Sequence, residues 1–336
     1  MKYGSIPGVD KPVSRLVLGT MIVHTDRLEE SFALLDAAFE AGWNTLDMAH
    51  VYGGGNTERA VGRWMKARGH REKLVLLSKG AHPNADRARV TPHDIASDLH
   101  DSLARLQTDH LDLYLLHRDD PGVPVGPIVE ALHSHKLAGR IRAYGGSNWS
   151  HERLREANTY AAEHGLTPFV ASSPNYGLAE QVDNPWGQGC VSLGGPANRE
   201  ARAWYARSGM PIFAYSSLGR GFFSGRFTRE TFEREGTFLD AACRKAYCHE
   251  VNFRRLDRSV ELAKAKGVGV ADLALAWVLG QPLNVFALVG AANESEIRAN
   301  GAAAELTLTP EESAWLDLEG ERPAHARPKR LENALP

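Results

Sequence analysis

Leu74–Lys79, LVLLSK, is a continuous apolar run that stops on a lysine. A run of about four to eight apolar residues suits a strand buried on both faces, as in a parallel sheet. A lysine closing such a strand is costly to bury unless a neighbour uses its charge. Other runs in the first half also end on polar residues: WNTLD on Asp47, HLDLYLLH on His117, and IRAYGGSN on Ser147 and Asn148. Tyr52 follows Asp47 by five residues, inside the glycine-rich turn VYGGG. The chain reads as a device that gathers these strand ends around Tyr52 and Lys79.

Outward from LVLLSK the pattern alternates. RLVL (15–18) reads as a first strand, and 29–41 has helical apolar spacing stopped by Gly42. A helix over 56–66, capped by Asn56, separates WNTLD from LVLLSK. Thr91-Pro92 opens a helix that leads to HLDLYLLH. Helices over 127–138, 150–164 and 198–207 alternate with strands over 141–147, 169–173 and 211–216. Two helices, 252–266 and 270–281, or one interrupted near Gly267, precede a strand over 284–289 and a helix over 294–303. Thr309-Pro310 opens a last helix, and the polar start with its GVDKP turn reads as an N-terminal hairpin.

Eight short apolar strands, each followed by a helix, predict one domain over 1–336 built as a closed (β/α)8 TIM barrel. The competing open, doubly wound sheet normally carries a glycine-rich phosphate turn after its first strand, and Gly19-Thr20-Met21-Ile22 is not one. Residues 178–195 and 218–248 fit neither strand nor helix. They are expected to be long loops on the C-terminal face, where such barrels carry their active sites.

Composition narrows the class. The 336 residues are 43% hydrophobic and 24% charged, as in ordinary soluble globular proteins. A formal net charge of −2 offers no electrostatic basis for nucleic-acid or anionic-membrane partners. Cys190, Cys243 and Cys248 lack zinc or redox spacing, which suggests a reducing compartment. The N-terminus lacks a signal-peptide core, and no run approaches the roughly 20 apolar residues of a membrane helix. A cytoplasmic protein acting on a small molecule is expected, with its oligomeric state open.

Each strand-end residue alone has an ordinary reading. A terminal Asp often caps a helix, a lone His beside an apolar run often belongs to the core, and Tyr52 can simply pack on its glycines. Together they make sense as an acid. A phenol with a pKa near 10 is a weak proton donor at neutral pH, and a cation beside it lowers that value. Lys79 can be the cation, held by Asp47, while His117 hydrogen-bonds a carbonyl oxygen. Tyr52 would then give a proton to a carbonyl being reduced, or take one from an alcohol in reverse.

The motifs LDMAHVYGGGNTERAVG, LLSK, DLYLLHRDD, GGSN, AYSSLGRG and LALAWVLGQP stand in the order found in the aldo-keto reductases, which the sequence resembles over about 18–300. The resemblance implies a barrel that binds a nicotinamide dinucleotide without a Rossmann fold, and a catalytic tetrad of Asp47, Tyr52, Lys79 and His117. It implies that Ser147 and Asn148 hold the nicotinamide carboxamide and that Tyr215 stacks on its ring. Ser216, Leu218 and Arg220 fall in the pyrophosphate loop, Asn300 lies near the adenine, and Thr20 and Gly290 join the cofactor contacts. Each also has a bland reading as a helix start, strand end or cap.

Two departures from the family pattern matter. Ser173 stands in SSPNYG where a carboxamide-contacting Gln is usual. After the last strand, VGAANESEIRAN lacks a cation where NADP-preferring members place one, and Glu296 stands there instead. NAD(H) is therefore expected over NADP(H), although Arg298 lies two residues on. His50, Arg118, Trp149, Trp186, Phe222 and Phe223 are candidate substrate-lining residues; their mixture suits a sugar or polyol derivative as well as an aromatic aldehyde, with a lean towards the sugar type. Two other classes compete. Barrels of this family also serve as non-catalytic, cofactor-sensing subunits of potassium channels; the start of this chain close to the barrel argues for the enzyme. A metal-dependent hydrolase using Asp47 and His117 lacks further ligands.

Overall fold

The computed structural model describes residues 1–187 and 189–326, so the last ten residues of the expected single domain lie outside it. Two antiparallel strands, β1 (Tyr3–Ile6) and β2 (Val9–Ser14), open the chain as the expected hairpin. Then follow β3 (Leu16–Gly19), α1 (Leu28–Glu40), β4 (Thr45–Asp47), α2 (Asn56–Arg68) and β5 (Val75–Gly80). The alternation continues through α3 (Pro92–Leu106), β6 (Leu111–Leu116), α4 (Val125–Leu137), β7 (Ile141–Ser147) and α5 (His151–Glu163). Next are β8 (Ala171–Ser173), α6 (Arg199–Ser208), β9 (Ile212–Ala214), α7 (Phe232–Glu235), α8 (Ala241–Tyr247), α9 (Glu250–Lys266) and α10 (Val270–Leu279). β10 (Val285–Val289), α11 (Glu294–Ala303) and α12 (Pro310–Leu316) complete the order.

Strands β3 to β10 are all parallel, and β10 pairs with both β9 and β3, which closes the barrel. That closure excludes the open sheet. The strands read as unbroken apolar runs because both faces are buried. Alternate residues point inward: Val17, Val75, Leu77, Leu113, Leu115, Phe213, Phe286 and Leu288 form one core with Ile6, Val9 and Val13 of the hairpin. Their neighbours Leu16, Leu18, Leu46, Leu76, Tyr114 and Leu116 face out onto the helices. Fully burying each such side chain contributes about 1.5–3 kcal/mol. The hairpin thereby plugs the N-terminal end of the barrel, and Lys11 pins it with a 2.7 Å ion pair to Asp112. Only the C-terminal end is left for chemistry.

Helix starts follow the expected capping chemistry in part. Thr91 accepts from Asp94 N–H with Pro92 at the first helical position, and Ser150 accepts from Arg153 N–H. Asn56 is not a cap: α2 begins at Asn56, after Gly55 in a left-handed conformation. The 218–248 stretch is not a plain loop, since it folds α7 and α8, the latter capped by Asp240 accepting from Cys243 N–H. Helices of four and seven residues are too short to show a period in the sequence. No helix among the described residues is long and apolar enough to cross a membrane.

Candidate active site

Sheet pairing carries the strand ends to a common mouth. Beyond the paired strands, Met48 N–H donates to the Leu77 carbonyl (2.8 Å), His50 N–H to Lys79 (2.8 Å) and His117 N–H to Gly80 (2.7 Å). The chain then turns back through Tyr52, because Gly53, Gly54 and Gly55 all sit at positive φ (54°, 60° and 88°). Side chains are strained there, and a Cβ on Gly55 would meet the Arg105 guanidinium carbon at 2.7 Å. Arg105 holds this turn by donating to the His50 carbonyl (2.9 Å) and to buried Glu58 (3.2 Å). Glu58 also accepts from Ser78 (2.7 Å), the residue before Lys79. A buried ion pair thus ties the Tyr52 turn to the Lys79 strand.

At the mouth, Lys79 Nζ donates to Asp47 Oδ1 in a very short contact, to the Met48 carbonyl at 3.0 Å, and to Tyr52 Oη at 3.4 Å. The His117 ring stands edge-on to Tyr52 at 5.8 Å between centroids. Asp47 and Lys79 are each only 3% exposed, and His117 9%. Burial works to lower Lys79, but Asp47 and Tyr52 outweigh it and the ammonium is held above its ordinary value. Burial pushes the Asp47 carboxyl up, with Lys79 pulling against it. For Tyr52, burial raises the phenol and Lys79 lowers it, with a net rise above 10.0. The expectation of a lowered phenol is corrected: the cation pulls as expected, but the cost of burying a phenolate exceeds it.

His117 is driven well below 6.5, first by burial and then by Lys79, His82 and Arg118, so it is a neutral imidazole at physiological pH. Its Nδ1 is buried without a hydrogen-bond partner among the described residues. Asp47 has its carboxylate committed to Lys79. Among the described residues no group of three or more His, Cys, Asp or Glu could hold a metal ion.

Two of the expected cofactor residues, Ser147 and Asn148, stand beside this mouth at the end of β7. Asn148, at φ 58°, donates to the His117 carbonyl (3.2 Å) and to Ser147 Oγ (3.2 Å). Its Oδ1 accepts from Tyr215 Oη (2.7 Å) and Val191 N–H (3.2 Å). Burial keeps the Tyr215 phenol protonated well above 10.0, as a donor must be. A buried amide and hydroxyl beside an aromatic ring have the donor and acceptor chemistry that a carboxamide-bearing ring would need, and Tyr215 and Val191 already occupy the Asn148 oxygen. The Ser173 hydroxyl is fully buried and donates to the Phe213 carbonyl at 2.8 Å. The Ser173 carbonyl accepts from Ser147 Oγ at 3.0 Å. Thr20 is fully buried and bonds the Asp47 carbonyl (2.7 Å), so it braces the strand ends.

Ser216, Gly219, Arg220 and Gly221 all lie at positive φ, and the Leu218 carbonyl accepts from Gly221 and Phe223 N–H (3.2 Å each), making a compact turn. Arg220 is already paired with Asp240 and lies 5.3 Å over the Trp186 ring. Gly290 faces open space, and Asn300 is half-buried in the last turn of α11. Ala81, Asn148, Ser216 and Arg220 are four of the six non-glycine residues at positive φ, and all four sit on mouth loops. Such backbone costs about 1–3 kcal/mol each, which concentrates strain at the mouth.

The expected substrate residues divide. Trp149, Phe222 and Phe223 are fully buried, so none of them lines the mouth. Trp149 packs on Phe169 at 5.0 Å and donates to the Arg118 carbonyl, while Phe222 and Phe223 pack on each other. His50 directs Nε2 to Asp101 on α3 at 3.1 Å. Arg118 and Trp186 remain at the mouth, the latter edge-on to Tyr215 at 5.9 Å. His82 was not anticipated: its ring meets His117 edge-on at 4.8 Å. Its position three residues past Lys79 was the available signal.

The aldo/keto reductase family model matches residues 15–318. The aldo-keto reductase YhdN of Bacillus subtilis is 32% identical over 334 residues, covering 93% of this chain and 91% of YhdN. The norsolorinic acid reductase stcV of Emericella nidulans is 28% identical, covering 89% of this chain and 76% of its own length. Among solved structures, an aldo-keto reductase from Klebsiella pneumoniae in complex with NADPH is 27% identical, with a TM-score of 0.67 and 98% of each chain covered. The barrel, the motif order and the span of these matches place the chain in the aldo/keto reductase family of oxidoreductases.

Proposed function

We propose that this protein interconverts a small-molecule aldehyde or ketone and its alcohol, with Tyr52 as the general acid and base. The observation that carries this reading is the continuous contact Asp47–Lys79–Tyr52 with neutral His117 at its edge. A bound nicotinamide supplies or accepts the hydride. Lys79, held by Asp47, steadies the phenolate that Tyr52 becomes after giving up its proton. His117 Nε2–H orients the carbonyl oxygen and stabilises the charge that develops on it. Asp47, Lys79 and His117 are buried, which keeps water from the inner side of Tyr52. The test is a spectrophotometric screen of carbonyl compounds with NADH and NADPH. Absence of turnover across a broad panel, with cofactor still bound, would leave the cofactor-sensing role instead.

The reading has a pH signature. Reduction needs Tyr52 protonated, and its value lies above 10.0. His117 stays neutral because its value is well below 6.5. Rate of reduction is therefore expected to be level from about pH 7 to pH 9 and to fall only above about pH 10. A pH profile of kcat/KM that drops through neutrality would contradict this assignment.

The Klebsiella neighbour binds NADPH, yet we infer a preference for NAD(H) here. The Glu296 carboxylate accepts from Ala292 N–H at 2.8 Å at the start of α11, taking the helix N-terminus that a 2′-phosphate would use. Arg298 is bonded to Glu294 at 2.8 Å. Glu296→Arg is expected to shift the ratio of affinities towards NADP(H) by tenfold or more, read by fluorescence titration. Tighter NADP(H) binding by the unaltered protein would overturn the inference. For the substrate, the aromatic platforms behind a carbohydrate reduce to Trp186, and Met21, Ile22 and Val51 add exposed apolar surface on neighbouring loops.

A further inference from the structure

Arg118 immediately follows His117 at the end of β6, and its Nη1 donates to the His117 carbonyl at 3.1 Å. Its backbone is clamped by Trp149 Nε1, which donates to the Arg118 carbonyl at 3.2 Å. Above it runs the segment after β8: a Cβ on Gly189 would lie 3.8 Å from Arg118 Cδ. The side chain therefore lies between the His117 carbonyl and the Gly189 segment. The other arginines at this end have carboxylates, with Arg89 on Asp98, Arg105 on Glu58, Arg153 on Asp119 and Arg220 on Asp240. Among the described residues, none lies within ion-pair distance of Arg118. Its charge is felt instead by Tyr52, His82, His117 and Tyr215, the groups that surround the reacting position.

A half-buried guanidinium without a counter-charge is unfavourable, and its planar fork of donors matches an oxyanion. We propose that Arg118 binds an oxyanion carried by the substrate, so that the preferred substrates are aldehydes or ketones bearing a carboxylate or phosphate close to the carbonyl. This rests on the carbonyl-reductase reading and deepens it. With the carbonyl oxygen at Tyr52 and His117, the acid group lies against Arg118. Neutral analogues leave the cation unpaired.

The test uses the full chain and matched pairs: 4-carboxybenzaldehyde with benzaldehyde, and glyceraldehyde 3-phosphate with glyceraldehyde. The charged member of at least one pair is expected to have a kcat/KM about tenfold to a hundredfold higher, mainly through KM. The pair that shows the gain tells carboxylate from phosphate. In Arg118→Met that ratio is expected to collapse towards one, and added salt should erode it in the unaltered protein. Arg118→Lys keeps the charge without the fork and should retain part of the preference. Melting curves establish that each variant is folded. Neutral aldehydes reduced as well as charged ones, or a ratio indifferent to Arg118→Met, would overturn the proposal while leaving the reductase reading intact. No turnover of either member of any pair, with Tyr52→Phe indistinguishable from the parent, would remove both.

Discussion

Tyr52→Phe is expected to lower kcat for carbonyl reduction by about a hundredfold to ten-thousandfold, the range for removal of a general acid. Dinucleotide affinity should stay within about twofold, because Tyr52 touches Lys79 and His117 rather than the residues around Asn148. The substitution keeps the ring that stands edge-on to His117 and removes only the hydroxyl 3.4 Å from Lys79 Nζ. Stopped-flow measurement of a single turnover separates the chemical step from product release. Retention of more than a tenth of the parent rate would mean that another group delivers the proton.

Lys79→Met is expected to damage both stability and activity. Asp47 is 3% exposed, and Lys79 is the one side chain bonded to its carboxylate among the described residues. Removing one partner of a buried pair typically costs about 3–5 kcal/mol, because the other charge is left uncompensated. Urea unfolding should therefore show a clearly lower midpoint, with the slope unchanged. Tyr52 also loses the main group that pulls its phenol down, so burial meets less opposition and alcohol oxidation should demand a higher pH. The double variant Asp47→Asn with Lys79→Met removes both charges. It should recover much of the stability while turnover stays lost. Full stability in Lys79→Met alone would show that the pair is not isolated from water.

Much of the architecture was legible because a parallel barrel needs strands buried on both faces. LVLLSK, HLDLYLLH and IRAYGGSN could not be anything half-solvated, and their polar last residues marked the open end. α7 and α8 were not legible, since four and seven residues are too few to show a period. Asn56 failed as a cap because three left-handed glycines already turn the chain into α2.

The site divides along the same line. Residue type and order alone singled out Asp47, Tyr52, Lys79 and His117 as candidates, since a lysine at the end of a buried strand needs a carboxylate and a task. They also determined that a cation is missing after β10. Whether a side chain faces the mouth was decided by packing at a distance. Trp149, Phe222, Phe223 and the Ser173 hydroxyl turned inward to partners far along the chain, while His82 turned towards His117. The net rise of the Tyr52 phenol likewise came only with the fold, because adjacency to Lys79 can be guessed from sequence but the depth of burial that outweighs it cannot.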